Sequence, residues 1–165
     1  MGFEVLPITA LDWARLREIR LRCLEDAPEA FGSTWAEESS RLDSEWQERA
    51  IPTPNKQMWS ARKGEDWIGL VGAVREAEFR LQLVSMWVDP AYRRQGVARA
   101  LIATVVEWHR HRRGSELFLW VSGENTAARL CYERDGFQLT GARLPISSDP
   151  TRKRVEMRYG GPRHG

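Results

Sequence analysis

The spacing of apolar positions changes along the chain, and each change marks an element. Phe3 to Pro7 reads as a short strand. From Asp12 to Glu25, the residues Leu16, Ile19, Cys23 and Leu24 recur at helical steps, giving a helix with one buried face. Thr9 offers its N-cap, with Asp12 three residues on, and Ala27-Pro28 ends it. Glu29 to Glu38 reads as a loop or broken helix, and Leu42 to Ala50 as a second helix before Pro52 and Pro54. Gln57 to Arg62 and Trp67 to Val74 read as strands joined by Lys63-Gly64-Glu65-Asp66, a hairpin signal, and Leu81 to Val88 as a third strand. Val97, Leu101, Val105 and Trp108 then give the clearest helix, with His109, Arg110, Arg112 and Arg113 in its last turn and Gly114 as its stop. Leu117 to Val121 is an apolar run that fits a buried strand. Asn125 to Asp135 is a helix capped by Gly136, and Phe137 to Leu144 with Arg154 to Tyr159 close the chain as a hairpin around Pro145 to Thr151.

The resulting order, β-α-α-β-β-β-α-β-α-β-β, predicts one mixed α/β domain over residues 3–160, with 161–165 as a disordered tail. Leu81 to Val88, the helix after it and Leu117 to Val121 form a crossover unit, so part of the sheet is expected to be parallel.

Composition narrows the function classes. The chain has 165 residues, 42% hydrophobic and 29% charged, which suits a folded domain with a core. A net charge of +2, from 25 basic and 23 acidic side chains, argues against nucleic acid or a membrane surface as partner. The basic run from His109 to Arg113 is read as a helix end complementing its dipole. No segment resembles a signal peptide or a membrane span, which points to the cytoplasm. Cys23 and Cys131 lie on apolar helix faces in no metal or redox spacing and are expected to be buried free thiols. The histidines lack a zinc spacing, so no metal is expected. The eight tryptophans are expected in the core, along a groove, or at a homodimer contact.

The chemistry concentrates in Val88-Asp89-Pro90-Ala91-Tyr92-Arg93-Arg94-Gln95-Gly96-Val97-Ala98-Arg99. A strand ends, Pro90 stops its ladder, and a strong helix begins. Gly96 allows close backbone approach and Ala98 is nearly as small. The free N–H groups and positive dipole of the helix start suit a pyrophosphate, with Arg93, Arg94 and Arg99 adding charge. Hydrogen bonds to a charged group are worth about 1.5–3 kcal/mol each, against about 0.3–1 for the dipole, so the backbone donors should carry such a site. The segment matches neither a Walker A loop nor a dinucleotide-binding turn.

Arg93-Arg94-Gln95-Gly96-Val97-Ala98 resembles the Q/R-x-x-G-x-G/A signature of the GNAT superfamily of N-acetyltransferases. The stretch from Glu124 to Phe137 resembles that family's N-x-x-A-x-x-x-Y-x-x-x-G-F block, with Asn125, Ala128, Tyr132, Gly136 and Phe137 at the matching positions. The resemblance implies that acetyl-CoA is bound by Met86, Trp87 and Val88 along the pantetheine, by Arg93, Arg94, Gln95, Gly96, Val97, Ala98 and Arg99 at the pyrophosphate, and by Asn125, Ala128 and Tyr132. It implies direct attack of a primary amine on the thioester, with Tyr132 as the acid toward the leaving thiolate and a strand N–H at Trp87 or Val88 facing the oxyanion. On periodicity alone, Tyr132 reads as a core aromatic with its hydroxyl satisfied and Asn125 as a helix N-cap.

The pattern departs at Gln82, where many members carry a glutamate base. Water, another carboxylate (Glu37, Glu76 or Glu78) or an amine that is already partly neutral is then needed. The acceptor groove is expected to involve Phe31, Trp35, Gln82, Trp120 and Ser122. A small-molecule amine is the favoured acceptor. A protein or peptide amine and a non-catalytic acyl-CoA-binding role are the alternatives, and whether longer acyl groups are used stays open.

Overall fold

Lys63 pairs with Asp66 across a hairpin turned by Gly64 at φ +60°. In chain order the elements are β1 (Glu4–Pro7), α1 (Trp13–Asp26), α2 (Trp35–Ser39), α3 (Asp43–Ala50), β2 (Lys56–Lys63), β3 (Asp66–Ala77), β4 (Arg80–Val88), α4 (Val97–Arg110), β5 (Glu116–Ser122), α5 (Thr126–Arg134), β6 (Phe137–Ile146) and β7 (Asp149–Tyr159). The computed structural model describes residues 2–147 and 149–162. Of the segment expected to be a disordered tail, residues 163–165 lie outside the described residues.

Two boundaries differ from expectation, and the segment expected as a loop or broken helix takes the broken-helix form. The segment 29–38 holds the short helix α2, nucleated by a capping box in which the Glu37 N–H donates to Thr34 Oγ1 at 3.1 Å. Helix α4 ends at Arg110 rather than Arg113: Arg112 and Ser115 bond back to His109 and Arg112, and Gly114 sits at φ +82°, so the reversal starts a turn early. The final hairpin is also tighter, with Ile146 pairing Asp149. Pro145 is tolerated because β6 is an edge strand, where a missing N–H costs no ladder bond.

The seven strands form one sheet in the order β1-β2-β3-β4-β5-β7-β6. Among the described residues, only β4 and β5 run parallel, as the crossover through α4 requires. Each face has its own core. Val97, Leu101, Ile102 and Val105 of α4 and Tyr132 of α5 pack on Leu81, Leu83, Val88, Leu117, Leu119 and Met157. On the opposite face, Leu16, Ile19 and Cys23 of α1 and Trp46 and Ala50 of α3 cover Trp67, Leu70 and Trp87.

A bulge in β4 decides what the sheet centre does. Gly72 pairs Val84 and Leu70 pairs Trp87, so two residues, Ser85 and Met86, oppose one on β3. Ser85 takes φ +57° there. The extra residue inverts the facing of the strand: Leu81 and Leu83 join the α4 core before it, and Met86 and Val88 after it. Strands β4 and β5 pair only over Arg80–Glu116, Leu81–Leu117 and Gln82–Phe118. Beyond Gln82 they separate, β4 staying with β3 and β5 with β7. The sheet is thereby split from within, leaving a gap lined by unpaired backbone.

Candidate functional site

The gap opens toward the turn before α4. Two residues of that turn have positive φ, Arg94 at 63° and Gly96 at 84°. Ala100 donates to Gly96 O, the first internal bond of the helix. The N–H groups of Gly96, Val97, Ala98 and Arg99 therefore have no protein acceptor among the described residues, the donor set of a helix N-terminus. A Cβ built on Gly96 would meet nothing within 4 Å, so the space above it is open to a ligand. The concave, donor-rich turn fits a diphosphate.

Glycine also sets where this turn sits. A Cβ on Gly69 of β3 would lie 3.0 Å from Leu101 and 3.2 Å from Val97. The first turn of α4 rests directly on that backbone, which fixes its height above the sheet.

The arginines of the turn contribute differently from expectation. Arg93 points back to α1, donating from Nη2 to Asp26 Oδ2 at 2.6 Å and from Nε to Val88 O at 3.0 Å. The Trp87 indole donates to the same carboxylate oxygen at 2.9 Å. Burial alone would raise the Asp26 carboxyl, but these hydrogen bonds and the Arg93 charge outweigh it and hold the carboxyl below its usual range. Arg22 of α1 completes the anchor, pairing with Asp89 and donating to Trp67 O at 2.9 Å. Arg93 thus fastens the turn instead of presenting free charge. Arg99 lies 3.6 Å from Asp135 and is 83% exposed. Arg94 and Gln95 are exposed.

Met86, Trp87 and Val88 follow the bulge along the gap. Trp87 is buried under α1, so its side chain does not line the gap. Asn125 caps α5, accepting the Ala128 N–H at 3.1 Å, and Ala128 packs against the α4-side core. Tyr132 stands seven residues on, two turns along the same face. It is buried in the core shared with Leu83, Met86, Val88 and Leu119, and is edge-on to Phe137 at 5.8 Å. Burial pushes its phenol well above the ordinary value. Beside it, Cys131 is only half-buried, not fully buried as expected, because it flanks the buried face of α5; burial raises its thiol. Cys23 is fully buried, and desolvation pushes its thiol up to about 12.

On the face opposite α4, cross-strand pairing aligns Gln82 with Phe118, Trp120 with Glu156 and Ser122 with Arg154. Gln82, Trp120 and Ser122 are half-buried there. Phe31 reaches the same side, packed on the α1 core beneath the Arg20 guanidinium at 4.6 Å. Trp35 belongs to neither core cluster and is 46% exposed at the start of α2, so it stands apart from the others. Arg20 also donates to Ser85 Oγ at the bulge, 3.1 Å, joining α1 to the point where the sheet splits.

The carboxylates considered as bases are not poised for that work. Glu37 is spent on the α2 cap, Glu76 ion-pairs with Arg80 at 3.1 Å, and Glu78 is exposed at the β3–β4 turn. Two buried carboxylates escaped the sequence reading. Glu38, 1% exposed, is held by Ser33, Arg41 and Arg49, with Arg20 at 3.9 Å. Glu156, 7% exposed, is held by Arg80 and by the Thr140 hydroxyl at 2.9 Å. The Glu156 partnership is long-range, whereas Glu38 takes Ser33 and Arg41 from its own stretch and adds Arg49 and Arg20 from neighbouring helices. Arg152 adds a surface clasp, binding Glu29 at 2.6 Å and Glu124 at 3.0 Å, which ties β7 to the α1–α2 and β5–α5 connections.

Comparison with known proteins bears on this geometry. The family described as Acetyltransferase (GNAT) family matches residues 13–137. The chain is 38% identical over 88 residues to N-acetyltransferase 8 of Homo sapiens, covering 50% of this chain and 39% of that protein. It is 31% identical over 98 residues to the N-alpha-acetyltransferase RimI of Mycobacterium tuberculosis, covering 58% of this chain and 60% of that protein. The chain thus spans 39% and 60% of the length of these two relatives. The solved structure of Arabidopsis thaliana NAA60 in complex with acetyl-CoA aligns with a TM-score of 0.69 at 22% identity, over 96% of this chain and 98% of that one, a likeness of fold.

Proposed function

Given that the chain belongs to the GNAT family of acetyltransferases, we propose that it moves the acetyl group of acetyl-CoA to a primary amine by direct attack. The observation that carries the reading is the conjunction of the split between β4 and β5 with the unpaired N–H groups at Gly96 to Arg99. The first accepts an extended pantetheine arm as a further strand, and the second accepts its diphosphate. In this reading Met86, Trp87 and Val88 face the arm, and Arg93 to Arg99 hold the diphosphate mainly through backbone.

The reaction needs no covalent enzyme intermediate. The amine nitrogen attacks the thioester carbon, the C–N bond forms, the C–S bond breaks, and CoA leaves as a thiolate. A strand N–H at Trp87 or Val88 stabilises the oxyanion. The raised Tyr132 phenol is a weaker acid than a thiol, so complete proton transfer from it to the thiolate is uphill. Its role is to donate a hydrogen bond to the sulfur, while the proton comes from the nitrogen. A protonated acceptor has two protons to lose: with Gln82 in place of a base and Glu156 already bound by Arg80, the first passes to water before attack, and the second, released as the tetrahedral intermediate collapses, is the one that reaches the sulfur. Asn125 and Ala128 order the start of α5 beside the arm. Phe31, Gln82, Trp120 and Ser122 line the acceptor side; Trp35 reaches it only at the rim.

A small amine remains the favoured acceptor. The N-alpha-acetyltransferase among the relatives supports a peptide amine as the second reading. The test is a panel of small amines and peptides, followed by CoA release, beside thermal melting with acetyl-CoA. A rise in Tm with acetyl-CoA and CoA release with an amine are expected. A Tm rise without release from any acceptor leaves a non-catalytic acyl-CoA-binding module. No Tm shift at millimolar acetyl-CoA overturns the reading.

A further inference from the structure

Among the described residues, the acceptor face carries one cation that the protein itself does not answer. Arg154 of β7 lies with its guanidinium 5.0 Å from the centre of the Trp120 ring. Its Nε–H is buried and donates to nothing among the described residues. The Ser122 hydroxyl, on the residue directly opposite Arg154, is likewise buried without a partner. The neighbouring carboxylates are committed elsewhere. Glu156, two residues along the same face, is bound by Arg80 and Thr140, and Glu124 and Glu29 are bound by Arg152. Arg154 forms no ion pair among the described residues, whereas Arg20, Arg80 and Arg152 all do.

Two buried donors beside an aromatic face, left unanswered by the protein, are unfavourable unless water or a ligand completes them, and a ligand that does so gains by displacing that water. A guanidinium and a hydroxyl together call for an oxyanion that accepts from both, and a carboxylate matches the fork of Arg. The position is also apt. Trp120 and Ser122 belong to the part of β5 that has separated from β4, on the face opposite α4 and its diphosphate-binding turn. An acceptor entering from this face meets Arg154 as its amine approaches the gap.

We infer that Arg154, with Ser122 and the face of Trp120, is a specificity site for a carboxylate on the acceptor, and that the enzyme acts on small amines bearing a carboxylate a few bonds from the nitrogen. The inference rests on the acetyltransferase reading above and adds the substrate class to it.

The experiment compares matched acceptors that differ only in charge: aromatic and aliphatic α-amino acids against their carboxamides, and short peptides with Glu against Gln at the second position. Wild-type kcat/KM should favour the acids by about ten- to a hundredfold, the worth of a charge-assisted hydrogen bond. Preference for free amino acids identifies the small-molecule carboxylate; preference confined to Glu peptides overturns the small-acceptor claim. Arg154→Gln should lower kcat/KM for acids far more than for amides, so that the ratio collapses, and Arg154→Lys should restore part of it. Ser122→Ala, which removes only the hydroxyl, should shrink the same ratio. Equal use of acids and amides by wild type, or an Arg154→Gln loss equal for both, overturns the carboxylate site while leaving acetyl transfer intact. Absence of transfer to every acceptor overturns the underlying reading as well.

Discussion

Arg93 and Asp26, 67 positions apart in sequence, meet at 2.6 Å and fasten the turn before α4 to the end of α1. The contact shares its carboxylate oxygen with the Trp87 indole, so strand, turn and helix converge on one acceptor. Asp26→Ala should therefore loosen the turn. The ion pair is partly exposed and worth about 0–1 kcal/mol, but the change also strips the Trp87 indole of its acceptor, about 1–3 kcal/mol more, so Tm should fall measurably. Acetyl-CoA affinity should weaken by roughly threefold to tenfold, because the backbone donors lose their fixed positions. Calorimetric titration of acetyl-CoA checks this; a tighter complex would mean that Arg93, once released, binds phosphate directly.

Two glycines should fail in different ways. Gly96→Val places a side chain where the protein leaves open space, at φ +84°, so it costs about 1–2 kcal/mol of backbone strain and removes acetyl-CoA binding. Gly69→Val instead strikes Leu101 and Val97, costing about 1–3 kcal/mol through overpacking and lifting the start of α4. Denaturant melts and acetyl-CoA titrations on both variants separate the effects.

Tyr132→Phe keeps the ring against Phe137 and removes only the hydroxyl. Stability and the acetyl-CoA Tm shift should hold, while kcat falls by roughly tenfold to a hundredfold, less than the full range of general acid catalysis because the phenol donates a hydrogen bond without completing transfer. Unchanged turnover across pH would assign Tyr132 to packing alone.

Glu38 should govern acid stability. Burial by itself would raise its carboxyl, but Ser33, Arg49 and Arg41 outweigh that and hold it below the ordinary value. A depressed folded-state pKa gives stability that is present above the unfolded value of about 4.3 and lost as pH falls through the folded one. Glu38→Gln should thus destabilise the protein at pH 7 and flatten its loss of stability below about pH 4.3. Urea melts between pH 3 and 7 measure both. Leaving Arg20, Arg41 and Arg49 unneutralised, it should cost about 3 kcal/mol or more at neutral pH.

Cys23, fully buried with its thiol pushed up to about 12, should resist alkylation at pH 8 until the chain unfolds. Cys131, half-buried on α5, should react first. Mass spectrometry after timed labelling with and without urea distinguishes the two.

By itself, the sequence determined what is local. Period drew the long helices α1 and α4, because a buried stripe recurs within one element at Leu16, Ile19 and Cys23 or at Val97, Leu101 and Val105. The small residues of the turn, Gly96 and Ala98, and the spacing of Asn125 and Tyr132 are equally readable, since each lies within one short stretch. Tertiary structure alone decided what depends on pairing. The bulge at Ser85 carries no glycine to announce it, and only the register with β3 reveals it. The reassignment of Arg93 from ligand charge to anchor needed Asp26, and the isolation of Arg154 needed the knowledge that Glu156, Glu124 and Glu29 had all found other partners. A side chain's charge is written in the sequence; whether that charge is already answered depends on neighbours that folding brings from elsewhere in the chain.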